Sequence, residues 1–445
     1  MASDLFSIGT SGLRAARAAL DLTAQNIANA GTDGYVRRSL RVSEVGSPGS
    51  WMAPGDLTLS GVRIDGVTRN ADLFRQAEVR RTGSDYARAA EELTGHENIE
   101  AALEQSGLFP AMTSFEASLQ RLESNPVDPA LRAGALEDAR TLARSFNLAA
   151  GSLDTIGEGL RFAATAGTDQ VNTFAAELAR VNLQLTRATA GSSDQTMLLD
   201  RRDALLQQIS AQVGITTSIG PDQAATVRLG DGNGPVLVAS GTAQTLAMTA
   251  AADGTVAFTL GGNPVASSSG ALAGQAQALI AVRDRQARLN TIADTLITTA
   301  NAAQASSIAL DGTVGQPLFS GSGASGIAVG LTSGAGLATA PAGAAAGSRD
   351  PAGLVALRNA LGSAGVTDQI DSLLFTASSA AAARRTTAGA LDSIAGAARL
   401  ALAEQAGVSL DDEAANLVRF QQAFQASGKV IQVASDLFDT LLAIR

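Results

Sequence analysis

The sequence predicts a mainly α fold: N- and C-terminal helices paired as a coiled coil, a central helical bundle domain and a small β-rich inserted domain. Three observations predict it. Apolar residues recur at alternating spacings of three and four at both ends of the chain, the same spacing returns several times between them, and only the segment 215–271 alternates with period two. Three and four is the spacing of a helical seam, and a period of two marks a half-buried strand.

At the N-terminal end the seam reads Phe6, Gly9, Leu13, Ala16, Leu20, Thr23, Ile27 and Ala30. The helix is expected to run to about Asn29, with Gly31 free to close it in the left-handed conformation and Thr32 to Tyr35 forming a turn. Further helices are expected around 85–106, 111–123, 128–149 and 194–213, and one on the stripe Val171, Phe174, Leu178, Val181 and Leu185. In 215–271, Val227 and Leu229 alternate with polar neighbours, Gly230 to Gly234 reads as a hairpin turn, and Val236 to Val238 and Val256 to Leu260 read as short strands. Leu279, Val282, Gln286, Leu289, Ala293, Leu296 and Ala300 resume the helical spacing. The stretch 320–348, rich in Gly, Ala and Ser, reads as a long loop or irregular hairpin of weak preference.

Helices at 351–362 and 367–405 follow, and the last helix carries its own start signal. Ser409 is the N-cap, Asp412 three residues on completes a capping box, and Asp411 and Glu413 put negative charge where the helix dipole favours it. Its seam is Leu417, Phe420, Phe424, Ser427, Ile431, Ala434, Phe438 and Leu441. These patterns divide the chain into a terminal coiled-coil domain (1–45 with 406–445), a central helical domain (46–214 with 272–405) and the β insertion (215–271).

Composition limits what the chain can do. Apolar residues make up 45% of the 445 and aromatics only 4%, so the core is aliphatic and disorder over most of the chain is excluded. With 32 basic against 42 acidic residues the net charge is −10, which argues against nucleic acid as a partner because that affinity comes from clustered Lys and Arg. The absence of cysteine excludes disulfides, thiol catalysis and thiolate metal sites. No stretch approaches the ~20 consecutive apolar residues of a membrane span, so no membrane insertion is expected. The start of the chain lacks the basic and apolar regions of a cleaved secretion signal.

Signals for chemistry are poor, and no catalytic, cofactor-binding or metal-ligating residue is assigned. Gly321, Gly323 and Gly326 spell G-x-G-x-x-G, but a nucleotide fingerprint needs a preceding strand, a following helix and an acidic residue about 20 positions on, whereas the context here is a low-complexity loop. His96, the single histidine, falls on the stripe Leu93, His96, Ile99, Leu103 and reads as a packed or rim residue. Asp200, Arg201, Arg202 and Asp203 read as a solvated face or an interhelical salt link.

The run from Ile8 to Leu20, continued by Asn26-Ile-Ala-Asn-Ala-Gly-Thr-Asp-Gly-Tyr35, resembles the N-terminal signature of bacterial flagellar axial proteins. Four further strings narrow it: Gly61 to Arg69 with Asp72 and Phe74, Leu108-Phe109 through Leu119 to Pro126, Leu199 to Leu206, and above all Gly407 to Ser427 continuing to Leu442. Together they are similar to the hook-associated protein 1 family, over the whole chain except the β insertion and the Gly-rich loop. The insertion is short for that family. Two rivals share part of the pattern: another axial protein of the hook, rod or second junction, and an Ala-rich signalling coiled coil, against which the β insertion argues.

The resemblance implies a structural subunit that forms a ring with its own copies at the distal end of the hook. It implies contacts with the hook protein and the next hook-associated junction protein, and an export chaperone on the C-terminal helix. It also implies an extracellular, flagellar location reached by export from the cytoplasm without a cleaved signal peptide. The terminal helices would line an inner tube and the insertion would face outward. The residues expected to carry assembly are Leu13, Ala16, Leu20, Asn26, Ile27 and Asn29 at one end and Leu417, Phe420, Phe424, Ile431 and Phe438 at the other.

Overall fold

The computed structural model describes residues 2–32, 34–46 and 59–443. Its helices are α1 (Ala2–Ala28), α2 (Leu73–Gln105), α3 (Leu108–Ser124), α4 (Pro129–Leu185), α5 (Ser193–Gln212), α6 (Ala271–Ala305), α7 (Gly323–Gly326), α8 (Ala352–Ala364), α9 (Val366–Ala406) and α10 (Leu410–Ala443). The strands are β1 (Arg38–Gly46), β2 (Leu59–Arg69), β3 (Ile215–Ile219), β4 (Ala225–Leu229), β5 (Val236–Ala239), β6 (Thr242–Ala243), β7 (Leu246–Ala250), β8 (Val256–Leu260), β9 (Asn263–Val265), β10 (Ser307–Ile308), β11 (Phe319–Ser320), β12 (Ala328–Val329) and β13 (Ala340–Pro341). The mainly α class follows, with three differences from the sequence reading. The patterns at 128–149 and 171–185 belong to one unbroken helix, α4. Strands β1 and β2 form an antiparallel hairpin that the helical stripes did not reveal. The left-handed residue after α1 is Gly34, at φ 77°, and not Gly31.

Contacts divide the chain into two units: Met1–Ser84 with Gln170–Leu246 and Asp392–Arg445, and Asp85–Asp169 with Ala247–Leu391. The division cuts the stretch expected as one β insertion. Strands β3-β4-β5-β6 form a sheet in the first unit, and β7-β8-β9 are ordered as a separate small sheet. The first sheet is part of its unit's core: Ala225, Val227, Leu237 and Val238 are fully buried, and the Asn182 amide bonds both the N–H and the C=O of Ala225.

In the second unit α3, α4, α6, α8 and α9 enclose a single core around Phe115, Leu119, Phe146, Leu289, Leu296, Leu357 and Leu373. Helices α2 and α6 approach closely through small residues, because a Cβ added at Gly95 would lie 2.4 Å from the Ala278 Cβ and one at Gly274 2.3 Å from the Arg88 carbonyl oxygen. The Gly-rich stretch 320–348 is irregular, as expected, and opens with a short hairpin of β11 and β12, but it is packed and not merely a loop of weak preference. Its Ala324, Ile327, Leu337 and Ala338 are buried. Its backbone is held by one face of α6: Asp294 accepts from the Gly323 N–H (2.7 Å), Asn290 from Ala324, Asn301 exchanges two bonds with Phe319, and Gln304 accepts from Ala338. Gly321, Gly323 and Gly326 therefore belong to a packed turn against α6.

His96 lies half-buried on α2, as the stripe implied. Burial, reinforced by the nearby Arg384 and Arg285 charges, holds its imidazole below the ordinary value of about 6.5. The folded unit thus binds the proton less well than the unfolded chain does. Its contribution to stability is complete above pH ~6.5 and declines as pH falls below that. The loss of stability between pH 7.5 and pH 5.5, measured by urea unfolding, is expected to be smaller in His96→Gln than in the parent chain; equal losses would count against it.

Candidate assembly surface

The first unit brings the two ends of the chain together. Helices α1 and α10 run antiparallel, with Gly9 against Ile431 and Gly12 against Ser427. Glycine is required at Gly9, because a Cβ there would stand 2.7 Å from the Ile431 Cγ1. The covered face of α1 is one of small residues: Gly9, Ala16, Ala19, Thr23 and Asn26 are buried, with Leu22 beside them. Small side chains let two helix backbones approach, so this contact is close but supplies little apolar area.

The pair is anchored where α1 ends and α10 begins. The Asn26 side chain donates to the Arg38 carbonyl (2.9 Å) and accepts from the Arg38 N–H (3.1 Å) and the Tyr35 hydroxyl (2.9 Å). Burial chiefly pushes the Tyr35 hydroxyl pKa up, and the Arg38 guanidinium over its ring opposes this. Arg37 bonds the Glu413 carboxylate at 2.7 Å, and its N–H donates to the Ala406 carbonyl. The Ser409 hydroxyl accepts from the Asp412 N–H as the capping signal implied. Glu413, expected only to favour the dipole, is instead 1% exposed and ties α10 to the turn after α1.

The Asp200–Asp203 cluster takes the second of its two expected forms, a salt link between elements: Arg201 on α5 pairs with Glu177 on α4. Asp200 and Asp203, with side chains 18% and 11% exposed, are the centre of a wider ion network and not a solvated pair. Arg38 reaches Asp200 at 2.6 Å, Arg69 reaches Asp200 at 2.7 Å and Asp203 at 2.9 Å, and Arg202 holds Asp203 at 2.7 Å, while Gln76 donates to Asp203. Burial pushes the Asp203 carboxyl up, but Arg202 and Arg69 outweigh it and hold it below the usual range. This network ties both strands of the β1–β2 hairpin, at its open end where Arg38 pairs with Arg69, to α5. Sequence reading missed Arg37, Arg38 and Arg69 because their partners lie more than a hundred residues away; the strings around Gly61 and Leu199 were the available signal.

The expected assembly residues divide by burial. Asn26 at 1% and Ala16 at 6% exposure are used inside the chain, and Asn26 serves the turn. Leu13, Leu20, Asn29, Leu417, Phe420 and Ile431 are half-buried, and Ala16 and Phe420 line one groove of about 440 Å³ with Val42 and Val62 of the hairpin. Ile27, Phe424 and Phe438 are exposed, as are Leu5 and Phe6. The side chain of Leu441 lies outside the described residues. A second apolar stripe on α10, which the heptad reading passed over, is open as well: Val430, Val433 and Leu437, with Ala426 a turn earlier, repeat the spacing of three and four, and Val418 lies exposed further back. Helix α10 is thus apolar on two faces, one of which α1 covers only in part. No helix of the described residues is long and apolar enough to cross a membrane.

Comparison with known proteins bears on this surface. A family model described as the helical domain of the flagellar hook-associated protein FlgK matches residues 93–319, just over half of the chain. The ends match models of flagellar basal body rod proteins, residues 6–35 to the rod protein model and 401–444 to the FlgEFG C-terminal model. Flagellar hook-associated protein 1 of Salmonella typhimurium is 32% identical over 254 residues, covering 55% of this chain and 44% of that protein. Its counterpart in Bacillus subtilis is 29% identical over 213 residues, 46% of this chain and 42% of that one. The aligned part thus spans less than half the length of these relatives. The solved flagellar hook junction protein FlgK of Burkholderia pseudomallei superposes with a TM-score of 0.49 at 22% identity, over 55% of this chain and 46% of that one.

Proposed function

The chain belongs to the flagellar hook-associated protein FlgK family, and on that premise we propose that it is a structural junction subunit, without a catalytic step, that polymerises as a ring at the distal end of the hook and joins hook to filament. One observation carries the reading beyond the family name. Helix α10 leaves Val418, Phe424, Val430, Val433, Leu437 and Phe438 open to solvent. A helix apolar on more than one face needs more than one packing partner. Neighbouring copies of the chain supply those partners, and the α1–α10 pair forms the inner layer of the ring. The hook protein and the next junction protein meet the two sides of that ring, and an export chaperone covers α10 beforehand. The subunit works outside the cell, in the flagellum, after export without a cleaved signal peptide.

A strain lacking this chain is expected to build hooks that carry no filaments in electron micrographs, and restoring the gene to return them. Filaments attached normally in its absence would overturn the reading. The surface has its own test, because Lys429 is the chain's only lysine and is exposed on α10. Amine acylation is expected to modify Lys429 readily in the monomer and poorly in assembled hooks; equal modification in both would exclude α10 from the interface.

A further inference from the structure

The ion network of the first unit holds more positive than negative charge. Arg38, Arg69 and Arg202, with side chains 9%, 5% and 2% exposed, share only Asp200 and Asp203. A fourth buried arginine, Arg80, stands near Asp203 and Arg202 and donates to the neutral Thr217 hydroxyl. Buried charges are normally matched, since an unmatched one keeps its desolvation cost. The excess is not a general property of a chain whose net charge is −10. The Arg69 Nε–H is moreover buried with no acceptor among the described residues, while the Asp200 Oδ1 accepts no hydrogen bond and lies 2.7 Å from the Arg69 guanidinium.

A cavity of about 460 Å³ lies against this network, between the β1–β2 hairpin and α5. Arg69 and Arg202 line it, Arg41 rims it, and Thr68, Gln195 and Thr196 add polar groups to its wall. Asp65, the one acid on the wall, already accepts from Arg63 and Ser43. Opposite it the hairpin touches the turn before α5, where the Val67 N–H donates to the Gly191 carbonyl and a Cβ on Gly66 would stand 3.0 Å from the Gly191 Cα. Guanidinium forks on a partly enclosed wall are suited to a planar or tetrahedral oxyanion, which they engage by paired charge-assisted hydrogen bonds. We propose that this cavity is a binding site for a small oxyanion of phosphate size, whose charge completes the arginine network and pins the hairpin to α5.

The site lies within one unit of one chain, so its test is independent of assembly. Isothermal titration of the full-length monomer with inorganic phosphate is expected to give saturable, one-to-one binding, and phosphate to raise the melting temperature above that in sodium chloride of equal ionic strength. Sulfate and citrate arms distinguish the source: competition by sulfate marks a tetrahedral inorganic anion, and competition by citrate alone marks a carboxylate, which overturns the phosphate assignment. Arg41→Ala, at the exposed rim, is expected to fold and to weaken binding about tenfold or more, with Arg69→Met abolishing it. Arg14→Ala on α1, away from the cavity, is expected to leave it unchanged. Equal protection by chloride, or undiminished binding in Arg41→Ala, would overturn the proposal.

Discussion

Replacing Arg132 by Met is expected to destabilise the second unit by at least about 3 kcal/mol, the sum for three buried acceptors left unpaired at ~1–3 kcal/mol each. Arg132 is 1% exposed, and no carboxylate among the described residues holds it. Its guanidinium instead donates to the carbonyls of Pro126 (2.5 Å), Gly334 (3.1 Å) and Leu337 (2.7 Å) and to the Thr339 hydroxyl (2.6 Å). The side chain therefore joins the turn before α4 to the far half of the Gly-rich segment. Burial pushes its pKa down from the usual arginine value, yet arginine remains cationic at any ordinary pH. Methionine keeps much of the stem's volume and removes every donor, which separates lost hydrogen bonding from lost packing. For a unit of this size 1 kcal/mol corresponds to roughly 2–4 °C, so the unit's transition should fall by about 6–12 °C or more by calorimetry. A shift under about 2 °C would mean that the segment is held by its apolar contacts alone.

That arginine also marks where the sequence stopped being legible. Helices with an apolar stripe could be located, because burying such a stripe is what makes them helices in a protein. Their ends were missed where neighbouring stripes on one long helix face different partners, as on α4. The order of 320–348 was hidden for another reason: an irregular segment has no period of its own, and its backbone groups are satisfied by side chains far off in sequence. The signal lay in α6, where Asn290, Asp294, Ile297, Asn301 and Gln304 repeat three and four beside the apolar stripe. Polar residues at seam spacing are easily dismissed as a solvated face. Here they are amides and a carboxylate bonded to a neighbouring chain segment.

The pairing of the two terminal helices was legible in kind and offset in register. The contact inside the chain is made mostly by small residues of α1, in which Gly9 and Asn26 matter more than Leu13 or Ile27, while the seam positions Phe6, Ile27, Phe424 and Phe438 stay exposed. Heptad counting weights large apolar residues and cannot tell a face covered within the chain from one covered by a second copy. The ion network at Asp200 was invisible because opposite charges adjacent in sequence describe a surface helix equally well. Only the fold brings Arg38 and Arg69 to them.

Two substitutions on α10 separate the contact inside the chain from the contact between chains. Ile431 packs against Gly9 and is half-buried, whereas Phe438 is 56% exposed on the same helix. Ile431→Asp places a carboxylate against α1, so the monomer itself should lose the α1–α10 pairing, seen as faster cleavage of both ends by dilute protease. Phe438→Asp should leave the monomer within about 0.5 kcal/mol of the parent, as surface changes do. In the assembled ring the same carboxylate would be buried without a partner, at a cost on the order of 3–5 kcal/mol, or roughly two to four orders of magnitude in association. Hooks in a strain carrying only Phe438→Asp are then expected to lack filaments although the variant is made and secreted at normal levels. Normal filament attachment by Phe438→Asp would show that this part of α10 stays in solvent in the mature structure, and the intermolecular contact would have to be sought on the exposed side of α1, at Phe6 and Ile27.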